Sequence, residues 1–481
     1  MRLSDIVSLP GGGDDPEIRG VTQDSRQVRP GFLFAALPGR KYDGRAFIAD
    51  AIRNGAVAIL GPAGTLLPAD DTRVSLVVSD NPHRDLALAA AGFYRLQPVY
   101  IAAVTGTNGK TSTVHFTRQL WQMAGLEAAS LGTLGVRGAG MTRPGAMTTP
   151  DPVALHAMVA DMAAAGVTHL ALEASSHGLD QFRLDGLTLS AAGFTNLSRD
   201  HLDYHEDMAG YLAAKARLFS DLLRDGGAAV LNADVPEYEA LHAIVKSRGL
   251  SEISYGFQGD GIKLIALDPK PDGQDVTLQI DGMVRTIHLP LVGAFQAMNV
   301  LCAVGLAMAE NKFETDRIFD FLPALKRPPG RLELIPGHPT GAVYVDYAHT
   351  PDALAMVLRA LRPHTPGRLI CLFGCGGDRD KGKRPLMGSI ATDLADHVIV
   401  TDDNPRGEDP AAIRAAVLAG GGTGAREVDD RRDAIKAGVE MLAAGDVLLV
   451  AGKGHEEGQI FQDRVDPFND ADEVRKAIKE M

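Results

Sequence analysis

The chain has 481 residues, with 48 lysines and arginines against 61 aspartates and glutamates, a formal charge of −13, and 45% hydrophobic residues. That balance excludes a general nucleic-acid or anionic-membrane surface, so any anionic substrate must be held by local basic groups. A chain this long exceeds one hydrophobic core, and three domains are expected in an α/β protein whose 53 glycines suit close packing of helices on sheets.

Residues 1–97 mix short β-like runs (Phe32 to Ala36, Val57 to Leu60, Ser75 to Val78) with a helical patch at Arg45 to Asn54, and predict a small α/β domain. Gln97-Pro98 interrupts, and a second domain, residues 98–328, begins there. The apolar stretch Val99 to Thr105, the run Gly106-Thr107-Asn108-Gly109-Lys110-Thr111 and the segment Thr111 to Gly125 predict a strand, a phosphate-binding turn and a helix. Glycines let backbone N–H groups close around phosphate oxygens, and the helix N-terminus adds positive potential. Lys110 supplies a point charge, and Thr111 a hydroxyl for Mg²⁺. The common spacing G-x-x-x-x-G-K-[ST] would need glycine where Val104 stands, so this loop is a shortened variant.

Strand-like runs at Thr168 to Leu172, Ala191 to Phe194 and Ala228 to Leu231 then alternate with helical stretches at Pro152 to Ala165 and Met208 to Leu223. This predicts crossover units and a mainly parallel sheet, extended by a β-rich patch at Ile262 to Leu289. Lys326-Arg327-Pro328-Pro329-Gly330 cannot continue a helix and marks a second hinge. In residues 329–481, strands at Leu369 to Phe373, Val398 to Thr401 and Val447 to Val450 each end in a polar loop, where ligands of open parallel sheets bind.

Several strand ends carry candidate chemistry. Glu173, in His169-Leu170-Ala171-Leu172-Glu173-Ala174-Ser175-Ser176-His177, is an Mg²⁺-ligand candidate, since this hard cation takes oxygen ligands and one carboxylate with phosphates and the Thr111 hydroxyl suffices. His201 falls in the polar segment Thr195 to His205, where it could meet metal or phosphate, although a histidine in such a loop, taken alone, is more often a hydrogen-bonding structural residue. Lys215, taken alone, reads as an ordinary solvated helix lysine. Gly374-Cys375-Gly376-Gly377-Asp378-Arg379 and Asp403-Asn404-Pro405-Arg406 each place an arginine near a tight turn. The planar fork of arginine pairs with a carboxylate, which suits an amino-acid substrate better than a further phosphate. Gly452-Lys453-Gly454-His455-Glu456 lacks the hydroxyl residue after lysine that a phosphate loop needs, and reads as amine recognition. Cys302, Cys371 and Cys375 are too few and irregularly spaced for a disulfide framework or a four-ligand zinc site, and suit a reducing compartment. Met1 to Gly20 has no basic segment followed by an apolar one, and no run reaches membrane length, so a soluble cytoplasmic protein is expected.

Gly106 to Thr111, Glu173 to His177, the Asp200 to His205 segment and Asp403 to Arg406 together resemble the Mur ligases, over essentially the whole chain and in the same motif order. The resemblance implies a small α/β N-terminal domain for a UDP sugar, a central P-loop ATPase with a mainly parallel sheet, and a C-terminal Rossmann-like domain that brings an amino acid. It implies that ATP phosphorylates the D-glutamate side-chain carboxylate of UDP-N-acetylmuramoyl-L-alanyl-D-glutamate, and that the amine of meso-diaminopimelate attacks the acyl phosphate, in peptidoglycan precursor synthesis by a monomer. Phosphoryl transfer needs positioning and charge neutralisation more than a protein nucleophile, in keeping with the lack of a prominent nucleophilic Ser or Cys.

By match to the family pattern, Gly106, Thr107, Asn108, Gly109, Lys110, Thr111, Asn299, Arg331 and Asp346 serve ATP. Thr111, Glu173, His201 and Lys215 serve Mg²⁺, with Lys215 carbamylated to N6-carboxylysine, and Lys110, Glu173, His201 and Lys215 form the catalytic set. Gln296 stands where the pattern has an asparagine and is a departure. Ser25, Thr148, Thr149, Ser175, Gln181 and Arg183 match the UDP-muramoyl peptide path, and Arg379, Asp403, Asn404, Pro405, Arg406, Gly452 and Glu456 the diaminopimelate pocket. An arginine around a distal carboxylate would be left unpaired by lysine, which favours diaminopimelate. The alternatives are a lysine-adding relative, a folylpolyglutamate-synthase-like ligase, which would not explain the residues before Gly106, and a nucleotide-sensing protein without turnover.

Overall fold

The computed structural model describes residues 1–9, 14–39, 42–68, 73–143, 145, 147–200, 204–270, 272–310, 313–421 and 424–481. They form two compact units, residues 1–262 with 299–313, and residues 263–298 with 314–481.

In the first unit, β1 (Gly20–Thr22), β2 (Phe32–Ala35), β3 (Ala56–Pro62) and β4 (Ser75–Ser79) lie side by side in that order, all parallel. Successive side chains of a strand point to opposite faces. Thus Leu33 and Ala35 join a buried cluster with Leu86 of helix α2 (Pro82–Tyr94), while Phe34 joins another with Ile48 and Ala51 of helix α1 (Ile48–Arg53). Over the patch Arg45 to Asn54, the chain makes a 3₁₀ turn at Gly44–Phe47 before α1, because the Asp43 side chain accepts from the Arg45 N–H and tightens the entry.

The second sheet of this unit contains β5 (Tyr100–Thr105), β6 (Ala128–Gly132), β7 (Gly135–Gly138), β8 (Met141–Arg143), β9 (His169–Glu173), β10 (Leu189–Phe194), β11 (Leu223–Asn232) and β12 (Ser251–Gly256). Its order is β12-β11-β10-β5-β9-β6-β7-β8, parallel from β12 to β6 and antiparallel at the β6-β7-β8 edge. Every residue of β5, β9 and β10 is buried, so these strands read as continuous apolar runs rather than alternating ones. Helices α3 (Lys110–Met123), α4 (Pro152–Ala164), α5 (Ser176–Asp180), α6 (Met208–Arg217) and α7 (Tyr238–Ser247) connect them. The helix expected through Leu223 is regular only to Arg217 and then widens into a π turn, because Leu223 already pairs with Leu189 in the sheet.

The register sets Val104 opposite Glu173 and Thr105 opposite Phe194, so the residues that follow β5, β9 and β10 meet at one edge.

The β-rich patch is a meander of β13 (Ile262–Lys270), β14 (Gly273–Ile280) and β15 (Met283–Leu289), followed by helices α8 (Ala294–Met308) and α9 (Thr315–Phe321). The other sheet of the second unit has β16 (Glu333–Ile335), β17 (Ala342–Asp346), β18 (Leu369–Phe373), β19 (His397–Val400), β20 (Ala425–Glu427) and β21 (Val447–Ala451), in the order β16-β17-β21-β18-β19-β20. Only β16, at the edge, is antiparallel. Helices α10 (Pro351–Leu361), α11 (Lys383–Leu394) and α12 (Pro410–Gly421) bury apolar residues against Cys371 and Phe373 on one face. On the other face, α13 (Arg431–Glu440) and α14 (Asp470–Lys479), the latter preceded by the hairpin β22 (Gly458–Ile460) and β23 (Val465–Pro467), pack against Ile370 and Leu372. The winding therefore reverses between β21 and β18, where open α/β sheets form a ligand crevice beyond their strand ends.

The three cysteines are free and buried, and among the described residues no helix is long and apolar enough to cross a membrane.

At the start of α13 the Arg431 guanidinium is fully buried against Asp470, with Nε to Oδ1 at 2.7 Å and Nη2 to Oδ2 at 2.8 Å. Nη2 also donates to the carbonyl of Ala451, the last residue of β21, at 2.9 Å. Removing one partner of a buried pair leaves the other charge uncompensated. Arg431→Ala is expected to destabilise this sheet by about 3–5 kcal/mol, seen as an earlier transition in a urea titration followed by circular dichroism. An unchanged midpoint would contradict the assignment of a stabilising role to the pair.

Candidate active site

The turn after β5 is braced from two sides. Asn108 N donates to Asn196 Oδ1 at 2.9 Å and Thr107 N to the Asn196 carbonyl at 2.8 Å, while Thr195 Oγ1 donates to the Asn108 carbonyl at 2.6 Å. These bonds come from the polar residues that follow β10, so parallel strand pairing is what holds the turn in shape. Gly109 caps α3 at φ 87°, a left-handed conformation, and a Cβ there would collide with Asn299 Oδ1. The first turn of α3 thus begins at Lys110 with its N–H groups directed back over the loop, the arrangement that receives phosphate.

Two amines converge on one carbonyl. Lys110 Nζ donates to Gly106 O and Thr107 O, both at 2.9 Å, and Lys215 Nζ donates to the same Gly106 O at 2.8 Å. Lys215 is not the solvated helix lysine expected from α6 alone: it is 1% exposed, with Nζ 4.2 Å from the Tyr211 ring centroid. Burial, and then the nearby charge of Lys110, hold its pKa well below the ordinary lysine value.

On the neighbouring strand, Thr111 Oγ1 donates to Glu173 Oε2 at 3.0 Å, and Thr133 N donates to Oε1 at 2.8 Å. A buried carboxylate and a hydroxyl next to a phosphate turn form an all-oxygen donor set that fits a hard divalent cation using phosphates and water for its other ligands. Among the described residues no group of three or more His, Cys, Asp or Glu is placed to hold a metal ion. His201 lies outside the described residues.

Thr148, Thr149, Ser175, Gln181 and Arg183 are knitted around the end of β9. Thr149 Oγ1 donates to the Glu173 carbonyl at 2.9 Å and accepts from Ser175 N at 3.0 Å, while Thr148 and Thr133 share a hydroxyl–hydroxyl bond of 3.0 Å. Arg183 Nη1 donates to the Thr149 carbonyl at 2.7 Å and Nη2 to Gln181 Oε1 at 2.7 Å. Both acceptors are neutral, and burial lowers the Arg183 pKa, so an anion placed here would be stabilised. Ser25 sits on the N-terminal sheet, in a 3₁₀ turn capped by Asp24, where its carbonyl accepts from Asn54 Nδ2 at 3.0 Å.

In the second unit, the seven residues matched to an amino-acid pocket, Arg379, Asp403, Asn404, Pro405, Arg406, Gly452 and Glu456, follow β18, β19 and β21, around the reversal of winding. Arg406 Nη1 donates to Gly377 O at 3.0 Å and Arg406 N to Ile460 O at 3.0 Å, and Arg379 Nη1 donates to Asp378 O at 3.0 Å. The glycine run after β18 has a steric cause: a Cβ on Gly377 would collide with the Pro405 carbonyl. Asn404 Nδ2 donates to Glu456 Oε2 at 2.8 Å. Asp346, at the end of β17, accepts from Leu332 N at 2.7 Å and Ala348 N at 2.8 Å. Its burial pushes the carboxyl pKa up against the opposing charge of Arg331, whose guanidinium lies 4.8 Å from the Tyr347 ring centroid. Gln296 is buried in the first turn of α8.

Sequence reasoning did not single out Thr195, Asn196 or Tyr211, which shape the phosphate turn, nor Lys453 and Arg431, which are fully buried beneath the second crevice. For the first group the polar run directly after an apolar strand was the available signal. A charged residue gives no such sign of being buried.

Gly109→Ala is expected to cost about 1–3 kcal/mol in backbone strain and to weaken binding of a nucleoside triphosphate at least roughly tenfold in calorimetric titration. Undiminished affinity would contradict the role given to this turn.

Three stretches of the chain match Mur ligase families: residues 17–94 match "Mur ligase family, catalytic domain", residues 104–307 "Mur ligase middle domain" and residues 330–454 "Mur ligase, glutamate ligase domain". A UDP-N-acetylmuramoyl-L-alanyl-D-glutamate–2,6-diaminopimelate ligase from Caulobacter vibrioides is 52% identical over 99% of both chains, and one from Bradyrhizobium diazoefficiens is 51% identical over 99% of both. A solved structure of a ligase with the same name has a TM-score of 0.75 and 35% identity, covering 100% of this chain and 99% of that one. With all three stretches matched in order and about half of its residues shared with full-length relatives, this chain belongs to the Mur ligase family.

Proposed function

We infer that the chain is an ATP-dependent ligase that adds meso-2,6-diaminopimelate to the D-glutamate side-chain carboxylate of UDP-N-acetylmuramoyl-L-alanyl-D-glutamate, forming an amide in peptidoglycan precursor synthesis. The observation that carries this reading is the likeness to diaminopimelate-adding relatives over 99% of both chains, because it includes the amino-acid crevice as well as the phosphate turn. Residues 1–97 hold the UDP sugar, 98–328 the ATPase and 329–481 the amino acid in this reading. ATP and a UDP-linked substrate place the work in the cytoplasm.

The mechanism follows from charge. Gly106 to Thr111 hold the triphosphate, with Lys110 neutralising charge that develops on the transferred phosphoryl group. Asn299, Arg331 and Asp346 serve the same nucleotide. Thr111 and Glu173, with His201, would hold Mg²⁺, which when bound supplies further charge neutralisation on the phosphate oxygens. Thr148, Thr149, Ser175, Gln181 and Arg183 present the muramoyl peptide so that its carboxylate is in line with the γ-phosphorus, and Ser25 contacts the uridine end. The carboxylate takes the phosphoryl group, ADP leaves, and the amine attacks the acyl carbon with loss of phosphate.

Arg379 and Arg406 pair with the second carboxylate of diaminopimelate, which lysine lacks, while Asp403 and Glu456 accept from an ammonium and Asn404 donates to the carboxylate beside it. Gly452 gives that end backbone contact, and Pro405 holds the turn that carries Arg406. Purified protein given ATP, Mg²⁺, UDP-muramoyl dipeptide and meso-diaminopimelate is expected to release phosphate, and to release roughly a hundredfold less with lysine. Equal release with lysine would overturn the choice of amino acid, and no release in either mixture would overturn the ligase reading.

Lys215 in this reading reacts as its neutral amine with CO₂, forming an N–C bond and losing a proton to give N6-carboxylysine. The low pKa supports this, since only the free amine attacks, and the product replaces a cation–cation approach to Lys110 by a cation–anion pair. Lys215→Ala should lose roughly a hundredfold in turnover and recover part of it in short-chain carboxylates such as formate or acetate. Full activity in the variant without additives would refute the modification.

A further inference from the structure

Lys453 occupies the position after Gly452, at the end of β21, and its side chain is completely buried. Nζ donates to Asn404 Oδ1 at 2.9 Å, to Glu456 Oε2 at 3.2 Å and to the Gly458 carbonyl at 2.7 Å. An ammonium has three hydrogens and accepts nothing, so all of its capacity is committed inside the protein. The lysine cannot itself touch a ligand.

Its effect passes through two neighbours. Asn404 Oδ1 also accepts from Ile460 N at 2.9 Å. Two donors on the same oxygen fix the sense of the amide, since a rotated Asn404 would set its NH₂ against an ammonium and an N–H. Nδ2 is thereby aimed at Glu456, donating to Oε2 at 2.8 Å. Oε2 thus takes bonds from both Lys453 and Asn404, while Oε1 makes none of the described hydrogen bonds. One carboxylate oxygen remains to accept from an ammonium, and one amide hydrogen remains to donate to a carboxylate.

We propose that Lys453 is a positioning residue for amino-acid recognition: by locking Asn404 and Glu456 it creates a reader for an ammonium and a carboxylate carried on the same carbon. The proposal rests on the assignment of this crevice to the amino-acid substrate. It explains why the phosphate-loop-like run Gly452-Lys453-Gly454 carries a lysine that faces inward, with all three hydrogens bound by protein oxygens.

The test uses the full-length protein with Lys453→Met, Lys453→Arg and, as a comparison, Arg406→Lys. KM for meso-diaminopimelate and for ATP would be measured alongside acyl-phosphate formation, trapped by hydroxylamine as the hydroxamate in the absence of amino acid. Lys453→Met is expected to raise KM for diaminopimelate about tenfold or more while KM for ATP and the hydroxamate yield stay near the parent values. Lys453→Arg, which keeps the charge but not the three-way geometry, should show the same split to a smaller degree. Unchanged KM for diaminopimelate in either folded variant, with Arg406→Lys raising it, overturns the proposal alone. If Arg406→Lys also leaves it unchanged, the assignment of the crevice fails instead. Loss of hydroxamate formation in both Lys453 variants overturns the proposal as well, because it would show the lysine to serve the fold at large.

Discussion

In the first unit two amines from distant parts of the chain depend on one carbonyl oxygen. Gly106 O receives the amines of Lys110 and Lys215, which come from the phosphate turn and from a helix more than a hundred residues later. Burial lowers the pKa of Lys215, and the second positive charge drawn to the same acceptor lowers it further. An anion placed beside the two amines, or loss of charge from one of them, would relieve that approach.

Parallel strand pairing makes this convergence possible. The residues after β5, β9 and β10 meet because Val104 faces Glu173 and Thr105 faces Phe194 in register. A register shift of one residue would turn Glu173 away from Thr111 and remove Asn196 from the loop amides it now holds. The second unit repeats the logic at its reversal of winding, where β18, β19 and β21 deliver their loops to one crevice, and buried Arg431 ties the end of β21 to α14 through Asp470. In both places the rigid sheet supplies position and the loops supply chemistry.

Much of this was legible in the residues themselves. The apolar run before Gly106, the glycines and Lys110-Thr111 specify a strand, a phosphate turn and a helix, and Glu173 to His177 and Asp403 to Arg406 lie at the ends of β9 and β19 as expected. The β6-β7-β8 edge and β17 were not read. β17 is a short β-branched and aromatic run, Ala342-Val343-Tyr344-Val345, whose composition alone favours a strand, whereas β7 and β8 are glycine- and arginine-bearing strands that only pairing defines. The burial of Lys215 is illegible for a different reason. Helical spacing in α6 does not report that Tyr211 and the turn after β5 close over its side chain, because burial of a lysine depends on residues distant in sequence. The same holds for Lys453.

A chain of charge −13 handles anionic substrates, and the partners of its cations show how. Arg431, Arg384, Arg414 and Arg368 are each matched by a carboxylate, Asp470, Glu408, Asp402 and Asp446, and are thereby neutralised as structural elements. Arg183, Lys215, Arg379 and Arg406 instead donate to uncharged oxygens of Thr149, Gln181, Gly106, Asp378 and Gly377. A carbonyl orients a cation without cancelling its field, so Arg183, Arg379 and Arg406 keep positive potential in a chain that is acidic as a whole, whereas burial favours the neutral form of Lys215. Burial alone does not separate the two kinds of cation: Arg431 and Lys215 are both buried, yet Arg431 is hydrogen-bonded to a carboxylate and Lys215 to a carbonyl.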